Sequence, residues 1–340
     1  MDSLTQIVLG AACGEAVLGK KIGNKALMFG AVGGTVPDFD VFVGNWIYSN
    51  TIDAMLFHRG FMHSIVFAVV AASVIGWLVY KLYNTGKRKS TTTLNDWMLL
   101  FFLALFTHPL LDCFTPYGTQ LFAPFSNYRV AFNTIAVADP FYTLPFLVCI
   151  ITLMFYNRKS RKRSLFLSWG LALSSAYLCF TVCNKMYINS VFEASLKANQ
   201  ILAKRYSTQP AILSNVLWFA VAETPNAYLV ANYSLFDKKN RFINFKELPK
   251  QRHILPKQFK ELERLAWFSN GYYNVYSIDS ENYQYNDLRY PILETETRQT
   301  PVFSFTLYKD GKRLNMKPFK AKFENFDTVL SSLWQRLKGV

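Results

Sequence analysis

Charge is scarce in this chain: only 17% of its 340 residues are Asp, Glu, Lys or Arg, against about a quarter in an average soluble protein. Cysteine is scarcer still, with five residues at 13, 113, 149, 179 and 183. All five fall in or at the edge of apolar runs, so neither a disulfide framework nor a Cys-x-x-Cys zinc site can be read. The start, MDSLTQIVLG, lacks the basic segment of a cleaved signal peptide, and residue 1 is expected to remain in the mature protein. Internal repeats and low-complexity tracts are absent as well. What abounds is apolar and aromatic: 51% of the residues are hydrophobic and 16% aromatic, thirty of them Phe. That composition excludes a disordered or fibrous chain and argues against an ordinary soluble enzyme. It implies a membrane protein that carries a soluble part.

Four charge-poor runs are long enough to suggest membrane spans: Ser64 to Tyr80, Trp97 to Phe114, Phe141 to Tyr156 and Leu165 to Cys183. Two shorter glycine-rich segments precede them, Leu4 to Leu18 and Ala26 to Val36, adequate as tilted or re-entrant helices. The expectation is therefore about six membrane segments. Residues 1–184 hold fourteen basic residues, and twelve of them sit in three connectors, at 20–25, 81–89 and 158–163. This alternation makes those connectors cytoplasmic, and places both chain ends outside. It also accounts for the net charge of +15 without a nucleic-acid partner. After about residue 190 charges, tyrosines and prolines become frequent. Leu217 to Val221, Ala227 to Tyr233 and Val302 to Tyr308 read as strands, and Lys257 to Phe268 and Phe326 to Leu337 as helices. The expected architecture is an α-helical polytopic membrane domain over 1–184 followed by a small α+β domain over 185–340 on the outer face.

Only four histidines occur, and three of them fall within 51 residues, each beside carboxylates. Pro37-Asp38-Phe39-Asp40 closes the second apolar segment, His58-Arg59-Gly60-Phe61-Met62-His63 opens the third, and His108-Pro109-Leu110-Leu111-Asp112 ends the fourth. The topology puts all three clusters at the outer membrane face. His108 and Asp112 lie one helical turn apart, Asp38 and Asp40 are expected in extended chain pointing the same way, and Gly60 is expected to turn the chain between His58 and His63. Mixed imidazoles and carboxylates suit zinc, manganese or iron, as one ion with orienting carboxylates or as two ions sharing the set. No Ser or Cys nucleophile accompanies them, so a metal-activated water is the nucleophile the residues suggest.

Other polar residues leave alternatives open. Arg59 and Arg129 read either as clamps for phosphate or carboxylate or as lipid headgroup anchors. Glu15, inside the first apolar segment, is either a buried hydrogen-bonded carboxyl or a site residue. Asp139 precedes Pro140 and reads as a helix cap or as a neighbour of the site. His253 reads as a surface residue.

The stretches MDSLTQIVLGAACGE, GGTVPDFDVF, HRGFMHS, HPLLDCFTPYGTQLFAPFSNYRVAF and ADPFYTLP together resemble the YdjM-type inner-membrane metal-dependent hydrolases. The resemblance covers most of residues 1 to 146. It implies a metal-dependent hydrolase in the membrane, with Asp38, His58, His63, His108 and Asp112 as metal ligands and Asp40 close by; apart from the resemblance, the residues put zinc first among divalent transition metals and suggest catalytic work for Arg59 and Asp40. Met62 stands where relatives are expected to carry Thr or Ile, a change that bears on pocket lining. A looser likeness, the His-x-x-x-Asp spacing, resembles zinc-dependent phospholipases C and would imply a phosphoester substrate and a role for the N-terminal residues. The function expected is metal-dependent hydrolysis at the outer membrane surface, on a membrane lipid or another phosphoester. The alternatives are an ion or metal transporter using the cluster as a relay, and a non-catalytic anchor whose outer domain binds a partner.

Overall fold

The computed structural model describes residues 1–254, 259–294, 299–319 and 326–339. The chain divides into two compact units: the first holds 1–46, 57–132 and 137–181, and the second holds 47–56, 133–136 and 182–340. The second thus takes in two short insertions from the N-terminal half besides the C-terminal region.

The first unit is helical. Helix α1 (Ser3–Ile22) is capped by the Asp2 carboxylate on the Thr5 N–H and stops at Gly23, whose φ of 61° ends the turn. Helix α2 (Asn24–Thr35) returns against it, and a 3-10 turn (Pro37–Phe39) leads into α3 (Asp40–Ile47). The short helix α4 (Thr51–Phe57) falls mostly in the second unit. Helix α5 (Ile65–Tyr83) starts at Ser64, whose hydroxyl accepts from the Phe67 N–H. Helix α6 (Leu94–Asp112) opens on a reciprocal capping box of Thr93 and Asp96. Helix α7 (Pro140–Met154) follows the Asp139 cap, and α8 (Arg161–Ala198) is one 38-residue helix that continues into the second unit.

Helices α1 and α2 meet through glycines. A β-carbon at Gly34 would stand 2.5 Å from the Gln6 main-chain oxygen, and one at Gly10 or Gly14 would collide with the Gly30 or Ala26 carbonyl. Gly10 and Gly14, like Gly30 and Gly34, are four residues apart, so both helices present a small-xxx-small face. Leu18, Ile22 and Ala26 then pack with Ala68, Ala72, Trp97, Phe101 and Leu105 from α5 and α6.

By length and composition three helices can cross a membrane, α5, α6 and α8, and a fourth crossing arises if α2 and the segment Pro37–Ile47, bent by 41° from it, form one broken span. The expected six are therefore not reached among the described residues. Helix α7 has 15 residues, about 22 Å at 1.5 Å per residue and short of a ~30 Å core. Helix α1 carries Glu15, Lys20 and Lys21. Val69, Val70, Trp77 and Leu82 on α5, and Leu165, Trp169 and Leu173 on α8, are exposed, as lipid-facing side chains are.

The second unit is α+β. Strands β1 (Arg205–Pro210), β2 (Leu217–Glu223), β3 (Ala227–Ser234) and β4 (Lys246–Pro249) form an antiparallel meander in that order. Helix α9 (Lys260–Phe268) follows; the expected start at Lys257 lies outside the described residues. A second sheet takes the order β10-β9-β6-β5 from β5 (Tyr273–Ser277), β6 (Asn282–Asp287), β9 (Ser304–Asp310) and β10 (Arg313–Pro318), with β7 (Ile292–Glu294) and β8 (Gln299–Pro301) as a separate hairpin. The chain closes with α10 (Phe326–Leu337). Every residue of β2 is buried because both its faces are covered. Trp218, Ala220 and Ala222 pack with Ile188 and Phe192 of α8, and Phe219 and Val221 pack with Tyr272 and Leu288. The inserted α4 is held by Asp53, which pairs with Arg264 and, at 2.8 Å, with Arg313.

Candidate metal centre

Three local devices bring the histidines and carboxylates together. Pro37 opens the 3-10 turn, so Asp38 and Asp40 are helical rather than extended; the fixed φ of proline suits the first position of a helix. The left-handed residue between the histidines is Arg59, with a φ of 59°, while Gly60 keeps a negative φ. A side chain pays strain there, and the Arg59 N–H is held by the Asp40 Oδ2 at 2.9 Å. His63 ends the 3-10 turn Phe61–His63, just before the Ser64 cap. His108 and Asp112 stay on the last turns of α6 despite Pro109.

Asp38, His63 and His108 offer ligand atoms that all lie within 4.8 Å of one another. The Asp38 Oδ1 is 3.4 Å from the His63 Nε2 and 3.5 Å from the His108 Nε2, and the Asp112 Oδ2 is 3.5 Å from each of the same two nitrogens. Four ligands at about 2.0–2.1 Å from a tetrahedral zinc stand roughly 3.4 Å apart, so these separations fit one ion. Both Nε2 atoms are buried without a hydrogen-bond partner, a costly arrangement unless something binds them.

The other ring nitrogens are aimed by the fold. His108 Nδ1 lies 2.6 Å from the Gly34 carbonyl oxygen; a carbonyl only accepts, so Nδ1 carries a hydrogen, and in the neutral ring Nε2 presents its lone pair. His63 Nδ1 lies 3.0 Å from the Asp40 Oδ2, though off the alignment of a hydrogen bond. His58 pairs through its Nδ1 with the Asp40 Oδ1 at 2.7 Å; neither it nor Asp112 is among the three residues, Asp38, His63 and His108, whose ligand atoms lie within 4.8 Å of one another. Burial, outweighing the Asp40 contact, lowers the pKa of His58 below the ordinary imidazole value. Asp38 and His58 are the open members of the cluster, with side chains 27% and 22% exposed, whereas Asp40, His63 and Asp112 are fully enclosed.

Asp112 is the hub. Its Oδ1 accepts from the Met1 amino group and, at 3.1 Å, from Gln6 Nε2, and its Oδ2 is 3.2 Å from the Arg59 Nε. Arg59 also donates to the Thr115 hydroxyl at 2.8 Å, and its guanidinium lies 4.9 Å from the centre of the Tyr117 ring. Arg129 donates to the carbonyls of His58 and Gly118, both at 3.1 Å. Gln6, Thr115 and Tyr117 escaped the sequence reading. Gln6 had a signal, an amide inside an apolar run; Thr115 and Tyr117 sit in a loop with no periodicity to place them.

Two candidates lie apart from this centre. Glu15 forms a bidentate pair with Arg163 at 2.7 and 2.6 Å, and Arg163 also donates to Asn24 and to the carbonyls of Leu153 and Tyr156. Asp139 caps α7 through the Phe141 N–H and accepts from the Tyr177 hydroxyl at 2.9 Å. The side chain of His253 lies outside the described residues.

Lipid-facing helices and a buried His/Asp cluster with unpaired imidazole nitrogens define a helical membrane protein with a candidate metal centre. The family model of the YdjM inner membrane protein matches residues 1–188, and the chain belongs to that family. It is 32% identical over 160 residues to the uncharacterized protein YfhP of Bacillus subtilis (strain 168), a match spanning 44% of this chain and 45% of the relative. The chain thus matches less than half the length of that curated relative. No solved structure matches.

Proposed function

We propose that the protein is a membrane-bound metal-dependent hydrolase of a lipid or other phosphoester, with its centre at the outer membrane interface. The observation that carries this reading is the pair of His63 and His108 Nε2 atoms, buried without hydrogen bonds and facing Asp38 and Asp112. Asp38, His63, His108 and Asp112 would hold one divalent ion, zinc first. Bound there, the ion supplies a Lewis acid and an activated water nucleophile. Asp40 orients His63 and His58, and the Gly34 carbonyl orients His108. Arg59, fixed by Asp40, Thr115 and Asp112, stabilises negative charge developing on a phosphoryl oxygen. His58, partly open and paired through Nδ1 with Asp40, presents its Nε2 lone pair to take a proton from the attacking water.

The transporter alternative needs ionisable groups continuing through the bilayer. Glu15, the carboxylate placed to extend such a relay, is closed by Arg163, which favours the hydrolase. The membrane arrangement belongs to the same reading: six embedded segments, with the short α7 crossing between α6 and α8 as its contacts from Thr143 to Thr5 and from Met154 to Asn24 support, and the C-terminal unit outside the cytoplasm. Labelling of single cysteines at Lys87 and Lys250 in a cysteine-free background should report opposite sides; the same side would refute this arrangement. The activity is tested by loading the purified protein with zinc and screening lipid phosphoesters, with His63→Ala as control. Hydrolysis lost in that variant is expected, and turnover that survives it would remove the mechanism.

A further inference from the structure

The turns that carry the candidate ligands also carry exposed aromatic rings. Phe39 follows Asp38 in the 3-10 turn Pro37–Phe39, Phe61 opens the 3-10 turn that ends at His63, and these two turns touch. Phe122 stands on a loop pinned to the same place, because the Gln120 N–H donates to the Arg59 carbonyl and the Ile65 N–H to the Leu121 carbonyl, both at 3.0 Å. The three side chains are 49%, 44% and 49% exposed. Each is therefore half held by the protein and half open, around a centre whose open members are Asp38 and His58.

A soluble anion gains nothing from an apolar surround, and exposed aromatic surface is unfavourable in water. These rings lead elsewhere. The Phe39 ring meets Phe42 of α3 edge-on at 6.2 Å, and the Phe61 ring meets Phe67 of α5 edge-on at 5.9 Å. Beyond them Phe42 and Trp46 on α3, and Val69 and Val70 on α5, are exposed. Helix α5 is long and apolar enough to cross a membrane, and Pro37–Ile47 belongs to the bent pair that can form a further span. Apolar side chains thus run from two helices with lipid-facing surface up to the turns that hold Asp38 and His63. An apolar wall ending at a few convergent polar groups suits a ligand with a hydrocarbon tail and a polar head.

We propose that Phe39, Phe61 and Phe122 form an apolar rim for the acyl chains of a membrane lipid, so that the centre receives a lipid phosphoester from the bilayer and not a soluble one. This deepens the hydrolase reading and rests on it for the metal and for the phosphoester head. Aromatic side chains at headgroup level sit where the head and the first methylenes of a lipid meet, and each ring offers its open face to the tail.

The test uses the full-length purified protein, loaded with zinc, in dodecyl maltoside micelles. Binding is measured to phosphatidic acid and to glycerol 3-phosphate, which present one phosphoryl head with and without acyl chains, and zinc content is determined on every sample. Phe39→Ser combined with Phe61→Ser should keep its zinc and weaken phosphatidic acid binding roughly 10-fold to 100-fold, the worth of two half-buried Phe side chains, with the loss confined to the lipid. Phe39→Leu combined with Phe61→Leu, which stays apolar, should recover most of it. If the serine pair does not fold, Phe122→Ser alone reads the same contrast. Wild-type binding of phosphatidic acid by a zinc-loaded serine variant, or equal losses on both ligands, overturns the rim and leaves the hydrolase reading intact, as does a wild-type protein that binds glycerol 3-phosphate and not phosphatidic acid. Rim-dependent binding of phosphatidic acid by a protein that takes up no zinc would support the rim and refute the hydrolase.

Discussion

His108 donates its Nδ1 hydrogen to the carbonyl of Gly34 at 2.6 Å, so the residue that aims one imidazole is also one that lets α1 and α2 touch. A β-carbon at Gly34 would meet the Gln6 main-chain oxygen and, at 3.1 Å, the Gly10 α-carbon. Gln6 in turn donates to Asp112. Helix packing and centre geometry therefore share residues. Gly34→Ala should destabilise the protein by about 1–3 kcal/mol through overpacking and lower its zinc content. A variant with wild-type melting and full zinc would separate the two.

Asp40 touches no unpaired ε-nitrogen; it braces His58, His63 and the Arg59 N–H. Asp40→Asn should still bind zinc but about 10–100-fold more weakly, the usual effect of losing a bracing partner. His63→Ala and His108→Ala should bind none at the same concentrations. Zinc titration of the three proteins, all checked for folding, distinguishes them; equal affinity in Asp40→Asn and wild type would show that Asp40 braces nothing.

Glu15 and Arg163 are both buried, and removing one partner strands the other. Glu15→Ala should cost about 3–5 kcal/mol without changing zinc affinity in the folded fraction, whereas Glu15→Leu combined with Arg163→Leu should recover much of the loss. Melting curves of the single and double variants check this. A Glu15 variant of normal stability that loses zinc would return this residue to the site.

In the second unit, burial alone would raise the Glu223 carboxyl, but bonds from Lys250 at 2.8 Å and Arg205 at 2.6 Å outweigh it and hold its pKa below the ordinary value. A depressed carboxylate contributes stability that is complete above its unfolded pKa and lost as pH falls through the folded one. Between neutrality and acid the wild type should therefore lose more melting temperature than Glu223→Gln. Parallel curves for the two proteins would remove Glu223 from the acid response.

Much of this was legible. The six apolar segments all became helices, because uncharged runs of that length have few other solutions, and β2, β3 and α9 follow from their periodicity. What the sequence hid was long-range. Helix α8 continues past 184 to Ala198 although its pattern changes from lipid-facing to sheet-packing, and 47–56 joins the second unit through Asn50, Thr51 and Asp53, whose partners Leu314, Asn315 and Arg313 are some 260 residues away. In the candidate site the identities of the clustered residues were readable from their spacing. Their placement was not: His58 and His63 look alike in sequence, and only the 3-10 turn and the left-handed Arg59 set the His58 Nδ1 on the Asp40 Oδ1 and the His63 Nε2 beside Asp38 and His108. Arg163 counted as a topology signal, yet it is buried on Glu15.

The central claim is a metal held by the ε-nitrogens of His63 and His108. Anomalous scattering collected on either side of the zinc edge from crystals of the zinc-loaded protein tests it most directly. The account predicts a peak about 2.0–2.2 Å from both Nε2 atoms and from carboxylate oxygens of Asp38 and Asp112; a loaded protein with no peak between these side chains, or with its peak at other residues, would contradict it.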